Sequence, residues 1–104
     1  MILNVSNTLD QGISAQNNGQ FQEAARLYRI VLSSEPNNSD AYYNLGIISL
    51  VYSKIDEALI NFKNAIINNP KIEQFWISYI QTLIKNNELE KARKSLKKAR
   101  QKGI

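Results

Sequence analysis

The sequence predicts an all-α protein in which six helices pair into three helix-turn-helix units. Three observations support this class. Similar residues recur every 34 positions over most of the 104-residue chain, which is a period typical of helical-hairpin arrays. Apolar residues within the units follow helical spacing. Pro36 and Pro70, one period apart, mark the outer ends of two hairpins.

The middle unit shows both of its helices clearly. We expect the first helix to be capped by Ser39 or Asp40, which can accept backbone N–H bonds, and to run to about Tyr52. The segment SKIDE then makes a short turn. A second helix is expected over about residues 56–68. Its apolar residues stand at helical spacing: Ala58, Leu59, Phe62, Ala65 and Ile66.

The other two units repeat this arrangement. The turn of the first unit reads NNGQFQE and that of the third reads KNNELEK. Two sets of residues share repeat positions: Ala24, Ala58 and Ala92 in one, and Tyr28, Phe62 and Leu96 in the other. The period therefore predicts one domain over residues 1–104. Its units are expected at about residues 5–38, 39–72 and 73–104.

The first helix of the middle unit contains a glycine, although alanine would favour a helix by about 1 kcal/mol. Two helices joined by a tight turn cross closely, and Gly46 would let one backbone approach the other. Ala58 is the expected small partner on the second helix, with Phe62 filling the space beside it. The third unit has Tyr79 and Ile80 instead of Leu-Gly, so we expect its two helices to lie further apart.

These features resemble the tetratricopeptide repeat, whose signature is W-x2-L-G-x2-Y, then A-x3-F, then P. The middle unit departs from it at Tyr42 and Ser49. The matching residues of that unit are Leu45, Gly46, Ala58, Phe62 and Pro70. The first unit keeps Gly12, Ala24, Tyr28 and Pro36, and the third keeps Trp76, Ala92 and Ala99. The chain looks like the opening repeats of bacterial members of the family.

The resemblance implies a right-handed α-solenoid whose first helices line a concave groove that binds an extended peptide or a partner's helix. An apolar stripe in the middle unit, separate from the one facing its second helix, supports such a groove. With Asn44, the stripe and its equivalents form the predicted groove set: Leu9, Ile13, Gln16, Asn17, Tyr43, Asn44, Ile47, Leu50, Val51, Ile77, Gln81, Ile84 and Lys85. Ile47 and Ile77 could equally be core between repeats. We expect Tyr43, Leu50 and Gln81 to be exposed.

One specialisation of the family is not expected. Members that clamp the acidic C-terminal tail of heat-shock chaperones use lysine, arginine and asparagine side chains on their first helices. The matching positions here are Leu9, Ile13, Asn44, Gln74 and Ser78, so only the asparagine is retained. Asn44 is either a hydrogen-bonding residue for a peptide backbone or an ordinary surface amide.

The last helix, ELEKARKSLKKARQKGI, is strongly basic. Residues 91–104 hold seven Lys or Arg and no acid, whereas residues 1–90 hold six bases and nine acids. Its basic surface is predicted at Lys91, Lys94, Lys97 and Lys98. Such a helix can bind phosphates or anionic lipid. The favoured alternative is a polar cap, because terminal repeats need a solvated outer face and basic residues complement a helix C-terminus.

The composition excludes several classes of site. The sequence has no cysteine and no histidine, which removes disulfides, thiolate metal sites and imidazole bases. No glycine-rich phosphate loop is present, and acidic pairs stand at helix starts, where they favour the dipole. We therefore expect no catalytic residues, no metal and no cofactor. Without a signal peptide or a membrane span, the protein is expected in the cytoplasm.

The sequence thus predicts a non-catalytic scaffold for a protein or peptide partner. One alternative is that the chain is the N-terminal segment of a larger enzyme, such as a glycosyltransferase or a methyltransferase. Another is anionic-ligand binding by the basic helix, although nucleic acid and membrane are disfavoured as partners because that helix has no aromatic residue. A symmetric homodimer is a further alternative.

Overall fold

The computed structural model describes residues 3–104, in which six α-helices and no strand are found. This confirms the predicted all-α class and the three hairpins. The helices are α1 (Val5–Asn17), α2 (Phe21–Ser34), α3 (Ser39–Val51), α4 (Ile55–Asn68), α5 (Glu73–Lys85) and α6 (Leu89–Gln101).

The helix starts follow the repeat, but the predicted cap of α3 was wrong. Asn38, not Ser39 or Asp40, is its cap, and the Asn38 Oδ1 accepts the backbone N–H of Ala41 at 2.9 Å. Asn4 caps α1 in the same way, one period earlier. At the third equivalent position stands Ile72, which provides no side-chain cap.

The turns inside the hairpins also follow the period. Each contains one residue with a left-handed backbone, at Gly19 (φ 76°), Ser53 (φ 58°) and Asn87 (φ 59°). Glycine adopts this conformation without strain, whereas serine and asparagine hold it at some cost in free energy. The short three-residue connections therefore do not depend on glycine in every unit.

The helices stack in chain order, so that each contacts mainly the helices before and after it. The result is an elongated molecule of 46 × 27 × 19 Å. Many of its buried residues fall into two clusters along this length. One cluster lies around Tyr28 and Leu45, and the other around Phe75 and Trp76. This near-linear arrangement is characteristic of a solenoid.

Two glycines accommodate aromatic rings. A Cβ added to Gly46 would lie 2.5 Å from Cε1 of Phe62, and one added to Gly12 would lie 2.7 Å from Cε1 of Tyr28. The prediction that Gly46 permits close packing is therefore supported, but the group that occupies the space is the ring of Phe62. In the third unit, where Ile80 replaces the glycine, α5 and α6 contact each other less extensively than the two helices of the first unit or those of the middle unit.

Candidate functional site

A depression lies between α3 and α5, on the side of the solenoid formed by the first helices of the units. It has a volume of about 270 Å³. Four members of the predicted groove set line it, together with two hydroxyl residues of α5. The lining residues are Ile47, Leu50, Ser78, Gln81, Thr82 and Lys85. The stacking of two first helices thus brings together residues that are 28 to 38 positions apart in the chain.

Hydrogen bonds made by side-chain hydroxyl groups hold Ser78 and Thr82 in place in this depression. Ser78 and Thr82 are both buried, and Thr82 Oγ1 donates to the backbone carbonyl of Ser78 at 2.7 Å. Ser78 Oγ shares a 2.8 Å hydrogen bond with the Tyr43 hydroxyl. Thr82 was not among the predicted groove residues, although its position next to Gln81 and one helical turn after Ser78 was a usable signal.

Tyr43 is less exposed than we expected. Its ring stacks on Phe75 with centroids 4.9 Å apart, and it packs at 5.4 Å against Phe62. The residue is partly buried and belongs to the surroundings of the second core cluster. Tyr43 therefore joins α3 to α4 and α5, and the expectation that it stands free on the concave side was wrong.

We expect Tyr43→Phe to lower the free energy of unfolding by about 0.5–1.5 kcal/mol, because it removes one part-buried hydrogen bond and keeps the ring stacking. Tyr43→Ala also removes the stacked ring and should cost about 2–3 kcal/mol, which is less than for a fully buried ring because Tyr43 is only partly buried. Urea unfolding followed by circular dichroism measures both values. If Tyr43→Ala were as stable as Tyr43→Phe, the ring would not be part of the interhelical contact.

The remaining members of the groove set vary in exposure. Ile47 and Ile77 are partly buried, which leaves both of their predicted roles open. Leu50 was expected to be exposed, but it is partly buried, as is Asn44, whereas Gln81 is exposed as expected. Leu9 packs against the first core cluster. The exposed members, apart from Gln81, are Ile13, Asn17, Val51, Ile84 and Lys85.

Gln16 has a structural contact that the sequence did not indicate. Its Oε1 accepts a hydrogen bond from the hydroxyl of Tyr28. Burial raises the pKa of Tyr28 from its ordinary value of 10.0 to about 12, so the hydroxyl remains a donor even at alkaline pH. Gln16 therefore ties α1 to α2 at the edge of the predicted groove.

The second helices form further clefts on another face. One, of about 460 Å³, lies between the first two units and is lined by residues of α2, α3 and α4. Another, of about 340 Å³, lies between the last two units. Three of the four predicted basic residues, Lys91, Lys94 and Lys98, line this second cleft, and Lys97 does not.

Other kinds of site are not found in the part of the chain that the structure describes. Over residues 3–104, no three acidic side chains are grouped so that they could hold a metal ion. Over the same residues, no helix combines the length and the apolar character needed to cross a bilayer.

Comparison with solved structures shows the same fold in proteins of low sequence identity. The second tetratricopeptide domain of Spaghetti (RPAP3), bound to the HSP90 peptide SRMEEVD, matches with a TM-score of 0.82 and 16% identity, over 91% of this chain and 88% of that one. The tetratricopeptide domain of Sgt2 from Aspergillus fumigatus matches with a TM-score of 0.80 and 18% identity, over 91% of this chain and 63% of that one. PilF of Pseudomonas aeruginosa matches with a TM-score of 0.83 and 21% identity, over 94% of this chain and 45% of that one.

Sequence comparison identifies the family. No curated protein sequence matches the chain. The family model described as "Tetratricopeptide repeat" matches residues 9–60, which is half of the chain. This region contains the turn of the first unit and all of α2 and α3. It also contains Gly12 and Gly46, the two glycines that pack against aromatic rings. With its six helices in three hairpins, the chain belongs to the tetratricopeptide repeat family.

Proposed function

We propose that the protein is a non-catalytic interaction module that binds an extended or helical segment of a partner protein in the depression between α3 and α5. The observation that carries this proposal is the mixed lining of that depression. Ile47 and Leu50 provide apolar surface on one wall, and Gln81 and Lys85 provide polar groups on the other. A few polar groups set in an apolar recess are typical of sites that bind a ligand in one orientation.

The surroundings of the depression support a ligand longer than the recess itself. Val51 and Ile84 are about half exposed, at 48% and 52% of their surface. Val51 stands one helical turn after Ile47, and Ile84 stands one helical turn after Gln81. Because residues three or four positions apart share a helix face, apolar surface continues along the C-terminal halves of α3 and α5. A peptide could bury these side chains, and the exposed amide of Gln81 could hydrogen-bond its backbone.

Peptide binding by a structural neighbour supports the general function but not the same ligand. The Spaghetti domain is bound to an acidic HSP90 peptide. In this chain, Leu9 and Ile13 stand where chaperone-binding members of the family have polar or basic side chains. Ser78, at a third such position, is buried and bonded to Tyr43. The groove therefore favours apolar peptides, with Lys85 as the one cation in its lining.

We expect Leu50→Asp to weaken the binding of groove peptides at least about tenfold, since a carboxylate would replace apolar contact surface. The peptides would be selected from a random displayed library against the wild-type protein and then titrated by calorimetry. Ile60→Asp is the matched control, because Ile60 is an apolar residue of α4 with 61% exposure that does not line the depression. It should leave affinity unchanged.

Circular dichroism of both variants distinguishes lost binding from lost folding. Because Leu50 is partly buried, Leu50→Ala serves as a milder second variant and should weaken binding less than Leu50→Asp. Peptides that bind the wild type, Leu50→Asp and Ile60→Asp equally well would show that the depression is not the binding site.

A further inference from the structure

The cleft between the last two units, here called the lysine cleft, combines a basic rim with an apolar floor. Lys63 of α4 and three lysines of α6 contribute the rim: Lys91, Lys94 and Lys98. Ile66, Trp76 and Tyr79 contribute the floor. The cleft lies among α4, α5 and α6, and it shares no residue with the depression between α3 and α5.

Most of the positive charge in the lysine cleft is not balanced by the protein itself. No acidic side chain lines the cleft. Lys91 is paired, since its Nζ lies 3.1 Å from Oε1 of Glu88. Hydrogen bonds from Asn86, which has the larger effect, and from Lys91 lower the pKa of Glu88. Among residues 3–104, Lys63, Lys94 and Lys98 take part in no ion pair.

The repeat supplies an internal comparison. The cleft between the first two units is built from the equivalent helices, and its residues Arg29, Glu57 and Asn61 stand one period before Lys63, Lys91 and Ser95. That cleft holds charges of both signs, since Glu57 occupies the position of Lys91. One period before Lys94 and Lys98 stand the uncharged residues Ile60 and Asn64. The fold therefore does not require lysines at these positions.

Like charges that surround a low-polarity recess repel one another and destabilise the free protein. A polar cap would be equally well solvated with charges of both signs, so solubility does not explain why only one sign is present. The helix dipole favours a cation at Lys98, in the last turn of α6, but it does not account for Lys63 or Lys94. A ligand with carboxylates would relieve the repulsion, and an apolar group on it could contact Ile67, which lines the cleft and is 66% exposed.

We propose that the lysine cleft binds an acidic peptide segment of a partner protein, with an apolar side chain of the peptide entering between α4 and α6. Glutamate or aspartate residues on both sides of that side chain would pair with Lys63, Lys94 and Lys98. The site is separate from the groove of the proposed function. Either site can therefore fail its test without affecting the other.

The protein carries its own probe for this site, because Trp76 is the only tryptophan and lies in the floor of the cleft. Titration with the amidated peptide EDELFEDE should change the Trp76 emission. The uncharged peptide QNQLFQNQ and the acidic peptide EDEGGEDE, which has no apolar anchor, should each bind at least about tenfold more weakly. Raising the salt concentration should also weaken the binding of EDELFEDE.

The double variant Lys94→Glu/Lys98→Glu should lose at least about tenfold in affinity for EDELFEDE. Lys97→Glu/Arg100→Glu is its matched control, because it changes the net charge equally on the same helix at residues that do not line the cleft. The control should change affinity by less than about threefold. Should the charge reversal unfold α6, Lys94→Gln/Lys98→Gln gives the same comparison with a smaller expected loss.

Several outcomes would overturn the proposal. Equal losses in the two double variants would show that the peptide responds only to net charge. Equal binding of EDELFEDE and EDEGGEDE would show that the apolar floor takes no part. Tighter binding of anionic phospholipid vesicles or of single-stranded RNA, lost in Lys94→Glu/Lys98→Glu but not in its control, would assign the cleft to another class of partner. The variant Leu50→Asp, whose substitution lies in the depression between α3 and α5, should bind EDELFEDE as tightly as the wild type does.

Discussion

Gly46→Ala is expected to destabilise the protein by about 1–2 kcal/mol, although alanine is the better helix former. On an exposed helix the same change would stabilise by about 1 kcal/mol. Here the added methyl group meets an occupied space. It would lie 2.5 Å from Cε1 and 2.6 Å from Cδ1 of Phe62. Overpacking of this kind typically costs about 1–3 kcal/mol.

The ring of Phe62 has no room to withdraw. Its side chain is fully buried, with 0% of its surface exposed, and it packs against the ring of Tyr43. Moving it would disturb the contact of Tyr43 with Phe75, which joins the middle unit to the third. We therefore expect part of the strain from Gly46→Ala to reach α5, beyond the hairpin that contains the substitution.

A double-mutant cycle with Phe62→Leu tests this explanation. Leucine lacks Cε1, the ring atom closest to the added methyl group, so Gly46→Ala should be less destabilising in the Phe62→Leu background. Gly12→Ala is a parallel case, because its methyl group would lie 2.7 Å from Cε1 of Tyr28, and it should also destabilise. Urea unfolding measures all of these variants. A more stable Gly46→Ala protein would show that the ring yields readily.

The existence and type of the helices could be predicted because they depend on local periodicity. Every repeat places apolar residues at helical spacing, and the 34-residue step leaves the number of helices in little doubt. The exact cap was harder to predict. Asn38, Ser39 and Asp40 are all good capping residues, and their order in the chain does not show which one is the N-cap of α3.

The positions of side chains between units were less predictable. The stripe containing Tyr43 was predicted to be concave surface, but the ring of Tyr43 is large enough to reach Phe75 of the next unit. Whether a ring turns towards a neighbouring helix depends on how closely the units stack, and one sequence does not show that distance. The same limitation applies to Lys63, which lies far from the basic helix in the chain and meets it only across the lysine cleft.

Phe62→Ala is expected to have the largest effect on stability, at about 3–5 kcal/mol. The ring is fully buried and fills the space left by Gly46. Small domains are stable by only about 5–15 kcal/mol, so the variant should unfold at a much lower urea concentration than the wild type. Its loss also removes the ring on which Tyr43 packs, and the cavity should weaken the junction between the second and third units.

Leu96→Ala provides the matched control, because Leu96 occupies the same repeat position as Phe62 in the third unit. Leu96 is 41% exposed, and Ile80 stands where the middle unit has Gly46. Truncating it should cost no more than about 1 kcal/mol, since part of its surface already contacts water. Equal losses of stability in Phe62→Ala and Leu96→Ala would contradict the structure, in which Phe62 is fully buried and Leu96 is partly exposed. The difference between them measures how much of each unit's stability comes from the ring and glycine pair.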